Sequence, residues 1–305
     1  MISLRGVSKS YRSLTGKQVL AVDDVTLDVA PGEVIGIAGP NGAGKTTIIA
    51  MLLGFLRPSS GTITINGHPP RGYVERNGIA YVPELMALMK TWRADQALRR
   101  LATLAGVSDD RVTLEVDRVV ALLEIGEHRK KRIKALSKGN FQRLGLAQAL
   151  LRDHDVVVFD EPTHGLDPVW TQRFRSVVSG LRKPDRAILI ASHNLDELER
   201  VADRVAIIDH GRLQRVVTVR DAGDSRTAGA RVYIVRVVGD SAALLGAFPG
   251  ASVVSPGEVV LPPLDVSALN AGLQAALARG AQVTGLSLRE SALEAEFHAA
   301  VGGGA

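Results

Sequence analysis

Two features of the sequence predict an α/β chain organised around a parallel sheet. Apolar runs uninterrupted by charge, "VIGIAG" at 34–39, "VVVF" at 156–159 and "AILIAS" at 187–192, have the length and branched-residue content of strands buried on both faces. Stretches of helical period alternate with them, as expected where helices cover both faces of such a sheet.

The elements follow in order. "ISLRGVSKSY" and "VLAVDDVTLDV" read as strands, and "PGE" (31–33) as the turn before the first buried run. A glycine-rich loop follows that run, and "KTTIIAMLLGFL" reads as a helix. Residues 60–82 read as strand pieces around Asn66-Gly67, a hairpin signal. From about 84 to 150 the pattern is helical: "ADQALRRLATLAG" and "EVDRVVALLEIG" carry apolar residues at 3–4 spacing and finish at glycine. The two later buried runs flank another helical stretch. After "VAIIDHGRLQ" the composition changes, and "AGDSRTAGA" (222–230) has the small, polar character of a linker. The expected organisation is a main domain over 1–221, that linker, and a small α+β module over 231–305. The module offers strands "RVYIVRVV", "EVVL" and "QVTGLSL" and helices "DVSALNAGLQAALARG" and "SALEAEFHAAV", with a disordered "GGGA" tail.

Composition narrows the class. With 46% hydrophobic and 23% charged residues, the 305-residue chain is an ordinary globular protein. The absence of cysteine excludes disulfides and thiolate metal sites. No uncharged stretch reaches the roughly 18 apolar residues a membrane span needs, and "MISLRGVSK" has no apolar core of signal-peptide length, so a cytoplasmic location is expected. The net charge of +5 permits contact with nucleic acid or an anionic membrane and selects neither.

The chemistry begins at "GPNGAGKTT" (39–47), which fits G-x-x-x-x-G-K-[ST] with Gly39, Gly44, Lys45 and Thr46 at the fixed positions. Glycines let backbone N–H groups turn inward around phosphate oxygens, and the helix that begins here adds its positive end. Lys45 is expected at the β- and γ-phosphates and the Thr46 hydroxyl on Mg²⁺. In such folds ligands sit beyond the carboxyl ends of the strands. A second strand running into "FDE" brings Asp160 and Glu161 to the same edge. Asp160 is expected to serve the Mg²⁺ ion, and Glu161 to polarise the attacking water.

The stretch "ALSKGNFQRLGLAQALL" (135–151) opens a helix at Ser137 and Gly139, a second anion-ready N-terminus. Here the sequence resembles the ATP-binding subunits of ABC transporters, whose signature peptide Leu-Ser-Gly-Gly-Gln reads as Leu136, Ser137, Lys138, Gly139 and Asn140. Tyr11 in "VSKSY" matches the family's adenine-stacking aromatic, "YVPE" (81–84) the segment entering the helical subdomain, "HGLDP" (164–168, with Asp167) the dimer-contact loop, and His193 in "ASHN" the switch histidine. The resemblance covers about residues 1–215. It implies a P-loop NTPase core with an antiparallel β subdomain and an inserted helical subdomain at about 84–150. It implies ATP and Mg²⁺ as cofactors, with Glu161, His193 and Lys45 catalytic. Tyr11, Gly39, Asn41, Gly42, Gly44, Thr46, Thr47, Ser137, Gly139, Asn140 and Asp167 would join Lys45 in holding nucleotide. Thr46, Asp160 and Glu84 would lie on the metal side. It further implies a head-to-tail pair of ATP-binding subunits, expected to be identical, attached to a separately encoded integral-membrane permease at the inner face of the cell membrane.

Three positions depart from the family pattern. Glu84 stands where glutamine is usual, which tilts the reading toward an exporter. Lys138 replaces the first signature glycine, and His164 replaces a small residue. "ELMALMKTW" offers Met86, Met89 and Trp92 as contacts for a membrane partner, although such residues more often pack in a core. The rival class is an ABC-type ATPase acting on nucleic acid or ribosomes. Such proteins carry tandem modules, zinc cysteines or coiled-coil insertions, none of which this sequence shows, so no nucleic-acid partner is expected. A small-molecule phosphotransferase would not need the signature helix.

Overall fold

The computed structural model describes residues 1–12, 18–219, 232–289 and 291–301, with the side chain of residue 292 left aside. The expected linker at 222–230 and the terminal "GGGA" lie outside the described residues. The chain divides into two compact units, one of Met1–Val219 with the segment from Glu296 onward, the other of Arg220–Ala295.

In the first unit, β1 (Ile2–Arg12) pairs antiparallel with β2 (Gln18–Val29). Next come β3 (Val34–Ala38), α1 (Lys45–Leu52) and β4 (Ser60–Ile65), and β4 joins the other edge of β1 to complete a three-stranded antiparallel sheet. α2 (Pro70–Asn77) and β5 (Ala80–Val82) lead into a helical region of α3 (Ala94–Leu104), α4 (Asp109–Leu122) and α5 (Lys138–Ala149). The chain then returns through β6 (Val156–Asp160), α6 (Pro168–Leu181), β7 (Ala187–Ser192), α7 (Leu195–Val201), β8 (Arg204–Asp209) and β9 (Arg212–Thr218).

The second sheet has the order β5-β6-β7-β3-β8-β9, parallel except for the antiparallel edge pair β8–β9. Every residue of β3, β6 and β7 is buried, which is why these runs carry no alternation. Ile48, Ile49, Met51 and Leu52 of α1 pack into one core with Ile35, Ile37, Val156 and Val158. Each such side chain contributes roughly 1.5–3 kcal/mol when fully buried. On β6, Phe159 meets Phe174 of α6 edge to face, with ring centroids 5.5 Å apart. This packing fixes the carboxyl ends of β3, β6 and β7 side by side, and that edge carries the site.

Residues 70–77 differ from expectation. The segment directly after Asn66-Gly67 is α2, not a returning strand; an isolated bridge between Ile65 and His68 flanks the turn, and the next strand is β5. Its apolar content is too low to show helical period. The readable signal is the proline at its first position and the glycine just past its end, Gly78 with φ 72°. Residues 84–93, placed in the helical region from sequence, hold no helix.

The second unit contains β10 (Tyr233–Val238), α8 (Ala242–Ala247), β11 (Ser252–Ser255), β12 (Glu258–Val260), α9 (Val266–Ala278) and β13 (Gln282–Leu288). Its antiparallel sheet has the order β11-β12-β10-β13. Tyr233, Val235 and Val237 alternate into a core with Leu244, Phe248 and Leu269. α8 and β11 are additions to what the sequence suggested, both too short to show a period. The final helix, α10 (Ala292–Val301), has its segment from Glu296 onward grouped with the first unit, where Arg215 pairs with Glu296.

Candidate functional site

The turn between β3 and α1 admits almost no side chains. A Cβ at Gly39 would fall 2.3 Å from the Ile208 carbonyl oxygen, and one at Gly44 would fall 2.4 Å from that of Ala21. Gly44 also sits at φ 106° and Gly42 at φ 82°, both in the left-handed region. Gly44 caps α1 without any side-chain hydrogen bond, and the first helical bond is Ile48 N–H to the Gly44 carbonyl at 3.0 Å. The amides of Lys45, Thr46 and Thr47 therefore have no partner within the helix and are available to an anion. Asn41 and Gly42 are exposed at the rim of the turn.

Lys45 is buried, and its Nζ donates to the Gly39 carbonyl at 2.7 Å and the Pro40 carbonyl at 3.2 Å. The same ammonium lies 4.0 Å from Glu161 Oε1. A phosphate entering this turn would meet a cation already aimed inward and held by neutral acceptors weaker than itself.

At the end of β6, Asp160 is almost fully enclosed and accepts a hydrogen bond from the Thr46 hydroxyl. Its Oδ2 is buried and has no hydrogen-bond partner. Burial, followed by the charges of Glu84 and Glu161, pushes its pKa up to about 6, against the opposing pull of Thr46 and Lys45. Burial and the same cluster of acids, Asp160 and Glu84, push Tyr81 up to about 12. Glu84 is exposed yet close enough for its charge to be felt at Asp160.

Glu161 adopts φ 48°, an uncommon conformation for a residue with a Cβ, costing on the order of 1–3 kcal/mol. Its own N–H donates to the Ala191 carbonyl at 2.9 Å. Its Oε1 accepts from the His193 backbone N–H at 3.0 Å, and its Oε2 lies 2.9 Å from His193 Nδ1. The sharp turn after β6 and the end of β7 therefore fix one carboxylate between them. Glu161 is 7% exposed and the His193 side chain 58%, so the pair presents a dry base beside a ring open to a ligand.

The second anion-ready element stands apart. Ser137 caps α5, its Oγ accepting from Asn140 N–H at 3.3 Å, and no acidic residue occupies the first turn. Among the described residues, no hydrogen bond or ion pair joins Ser137, Gly139 or Asn140 to the 39–47 turn. Instead α5 is tied to the loop after Glu161. Gln142 Nε2 donates to the Pro162 carbonyl at 3.0 Å, and a Cβ on Gly139 would lie 3.3 Å from the Gly165 carbonyl oxygen. The Lys138 stem covers Gly165, whose Cβ would fall 2.5 Å from Lys138 Cε. Asp167 caps α6, accepting from Trp170 N–H at 2.9 Å, and the Arg143 guanidinium stacks 3.8 Å from the Trp170 ring centre.

Tyr11 lies at the end of β1, 40% exposed, with Lys9 Nζ 5.6 Å from its ring centre. Its cross-strand partner is Val19, two residues before the Ala21 carbonyl that backs Gly44, which ties this sheet edge to the turn. Of the three candidate partner contacts, only Met89 is exposed. Met86 fills the space above Gly145 of α5, and Trp92 is half-buried under Arg100.

One residue at the site escaped the sequence reading. Glu197, in the first turn of α7, is wholly buried, and its Oε2 accepts from Thr163 Oγ1 at 2.5 Å. Burial and the charge of Glu161, opposed by the Thr163 hydrogen bond, raise it to about 7. The spacing Asn194-x-x-Glu197 is a capping pattern and announces a helix start, not a buried acid.

Comparison with known proteins agrees with this geometry. The ABC transporter family pattern matches residues 22–164. The Bacillus subtilis "Uncharacterized ABC transporter ATP-binding protein YhcH" is 35% identical over 227 residues, 72% of this chain and 71% of that protein. The "Nod factor export ATP-binding protein I" of Cupriavidus metallidurans is 34% identical over 211 residues, covering 67% of this chain and 68% of that protein. Among solved structures, the ATP-binding cassette MJ0796, dimeric in a post-hydrolysis state with ADP and Pi, superposes with a TM-score of 0.67. It covers 72% of this chain and 99% of its own at 20% identity, which speaks to the fold alone. Similarity at this level over most of both YhcH and this protein, on top of an anion-ready turn backed by paired acids, means that the chain belongs to the ATP-binding proteins of ABC transporters and is an ATPase.

Proposed function

We propose that two copies of this chain pair head to tail around ATP and drive a separately encoded membrane permease, in the export direction. One observation carries the reading: the two anion-ready helix starts of the chain belong to separate constructions. The start of α1 is backed by Lys45, Asp160, Glu161 and His193, whereas among the described residues the start of α5 makes no hydrogen bond or ion pair with those side chains and is fastened to the 162–167 loop. A second copy, turned end for end, supplies to each triphosphate what its own chain does not.

In this reading the amides of 45–47 and Lys45 hold the β- and γ-phosphates, Asn41 and Gly42 border them, and Tyr11 stacks on adenine. Ser137, Gly139 and Asn140 of the other copy close over the γ-phosphate, with Asp167 positioning the loop that meets it. Glu161 takes the proton of the attacking water, since its carboxylate is dry and clamped on two sides. The exposed His193 ring holds a γ-phosphate oxygen while its Nδ1 stays on Glu161. Asp160 and Thr46, with Glu84 near them, form an all-oxygen set, and the unpartnered Asp160 Oδ2 fits a hard cation such as Mg²⁺. When bound, that ion would neutralise charge building on the phosphates.

Leu85 and Met89, 84% and 58% exposed where the chain leaves β5 for the helical region, suit the apolar side of a permease contact at the inner face of the membrane. Export is supported by Glu84 and by the name of the Nod factor relative. No described helix is long and apolar enough to cross a membrane. The test is co-expression with a candidate multispan permease: co-purification and ATP-dependent efflux support the reading. Retention of nucleic acid in place of any membrane protein would contradict it.

A further inference from the structure

Glu197 occupies the third position of α7 after the cap Asn194, whose Oδ1 accepts from Glu197 N–H at 3.2 Å. A glutamate at that position ordinarily folds back onto the cap's own N–H. Here the Asn194 N–H is taken by Ser192 Oγ at 3.0 Å, and the Glu197 carboxyl turns instead to Thr163 in the loop that follows Glu161. Its other oxygen, Oε1, is buried with no hydrogen-bond partner. An arrangement that leaves a carboxyl oxygen dry and unpaired lowers stability. Retaining the acid there makes sense if the link to Thr163 has a use.

That link closes a ring. Glu161 and Thr163 are two residues apart on one loop; His193 and Glu197 are four apart at the start of α7. His193 clamps Glu161 at one end of the ring, and Glu197 clamps Thr163 at the other. Between them, the Pro162 carbonyl is anchored by Gln142 of α5. We propose that Glu197 is a positioning residue for Glu161, holding the 161–163 turn so that Glu161 keeps its left-handed backbone in register with His193, and transmitting movement of α5 to it. The groups facing Glu197 are Glu161 and Thr163 from the loop, Arg175 from α6 and Asp196 from α7. The uncharged form, which Glu197→Gln imitates, is favoured by burial and by the neighbouring Glu161 charge.

The inference rests on Glu161 acting as the base, so Glu161→Gln runs beside it in the same steady-state ATPase assay on the full chain. Glu197→Ala and Thr163→Ala are each expected to lower kcat about tenfold or more while KM for ATP stays within about threefold. Glu197→Gln and Thr163→Ser recover most of that loss, and the double alanine variant is no worse than either single one. The slope of kcat with pH through the neutral range flattens in Glu197→Gln. Turnover within about twofold of wild type in both alanine variants, or losses that multiply in the double variant, would overturn the proposal. If Glu197→Ala does not fold, the Thr163→Ala and Thr163→Ser pair decides alone. An inactive Glu161→Gln beside unaffected Glu197 and Thr163 variants refutes only the positioning role; an active Glu161→Gln refutes the base itself.

Discussion

His193 Nδ1 lies 2.9 Å from Glu161 Oε2, while the backbone N–H of the same histidine donates to Oε1 at 3.0 Å. One residue thus holds both oxygens of a carboxylate whose backbone is in a strained conformation, φ 48°. Glu161 has little freedom left to rotate, and the open side of the pair is the His193 ring. Replacing a general base costs about 10²–10⁴-fold in rate. Glu161→Gln, which keeps the shape and loses the proposed base, is expected to cut phosphate release by that range while ATP binding, measured by fluorescent-nucleotide titration, is kept. His193→Ala removes the side-chain clamp and, with it, the proposed phosphate contact. It is expected to lose turnover with a comparatively small change in nucleotide affinity.

Gly44→Ala tests the phosphate turn. The new methyl would sit 2.4 Å from the Ala21 carbonyl in a φ 106° conformation. Left-handed strain and overpacking together are expected to cost about 2–5 kcal/mol, read as a lower urea midpoint, and nucleotide binding is lost with the turn. Gly42→Ala meets nothing within 4 Å and has only its φ of 82° to accommodate, so its loss of stability is the smaller of the two.

Asp160 links stability to pH. Its folded pKa of about 6 lies above the ordinary 3.8, so between those values the folded state holds more proton than the unfolded one. Stability from this group is therefore greatest at low pH and declines as pH rises through about 6. Asp160→Asn keeps an acceptor for Thr46 and removes the buried charge. In Mg²⁺-free buffer it is expected to raise unfolding stability at pH 8 by up to about 3 kcal/mol and to change it little at pH 4. The same variant loses Mg²⁺-dependent hydrolysis. Equal stabilisation at both pH values would count against the buried charge as the cause.

Glu84→Gln removes one of the two negative charges that raise Asp160. The expected result is a smaller Mg²⁺-free destabilisation at pH 8 and, if Glu84 serves the metal side, a higher Mg²⁺ concentration for half-maximal hydrolysis. An unchanged Mg²⁺ requirement assigns Glu84 to the electrostatics of Asp160 alone.

The legible parts of the molecule were those governed by strong local rules. β3, β6 and β7 announce themselves because a strand buried on both faces must be apolar throughout. Gly39 and Gly44 announce themselves because a Cβ at either would collide with a backbone carbonyl, and Lys45 because it stands at the fixed cation position of the same pattern. α2 was missed because a short polar helix carries no period, only the proline before it and the glycine after it. Glu197 was missed for a different reason. Its helical position is ordinary, and what singles it out is Thr163, 34 residues away in sequence, brought to it by the packing of the ends of β6 and β7. Met86 and Met89 share a segment and an amino-acid type; Met86 packs over Gly145 of α5 and is half-buried, whereas Met89 is exposed.

The central claim is that each copy's α5 start completes the nucleotide site of another. Sedimentation velocity of Glu161→Gln with Mg²⁺ and ATP tests it most directly. A monomer converting to a dimer that holds two nucleotides, with conversion abolished by Ser137→Arg, is the predicted result. ATP bound at full stoichiometry by a species that stays monomeric at every protein concentration, with or without the membrane partner, would contradict it.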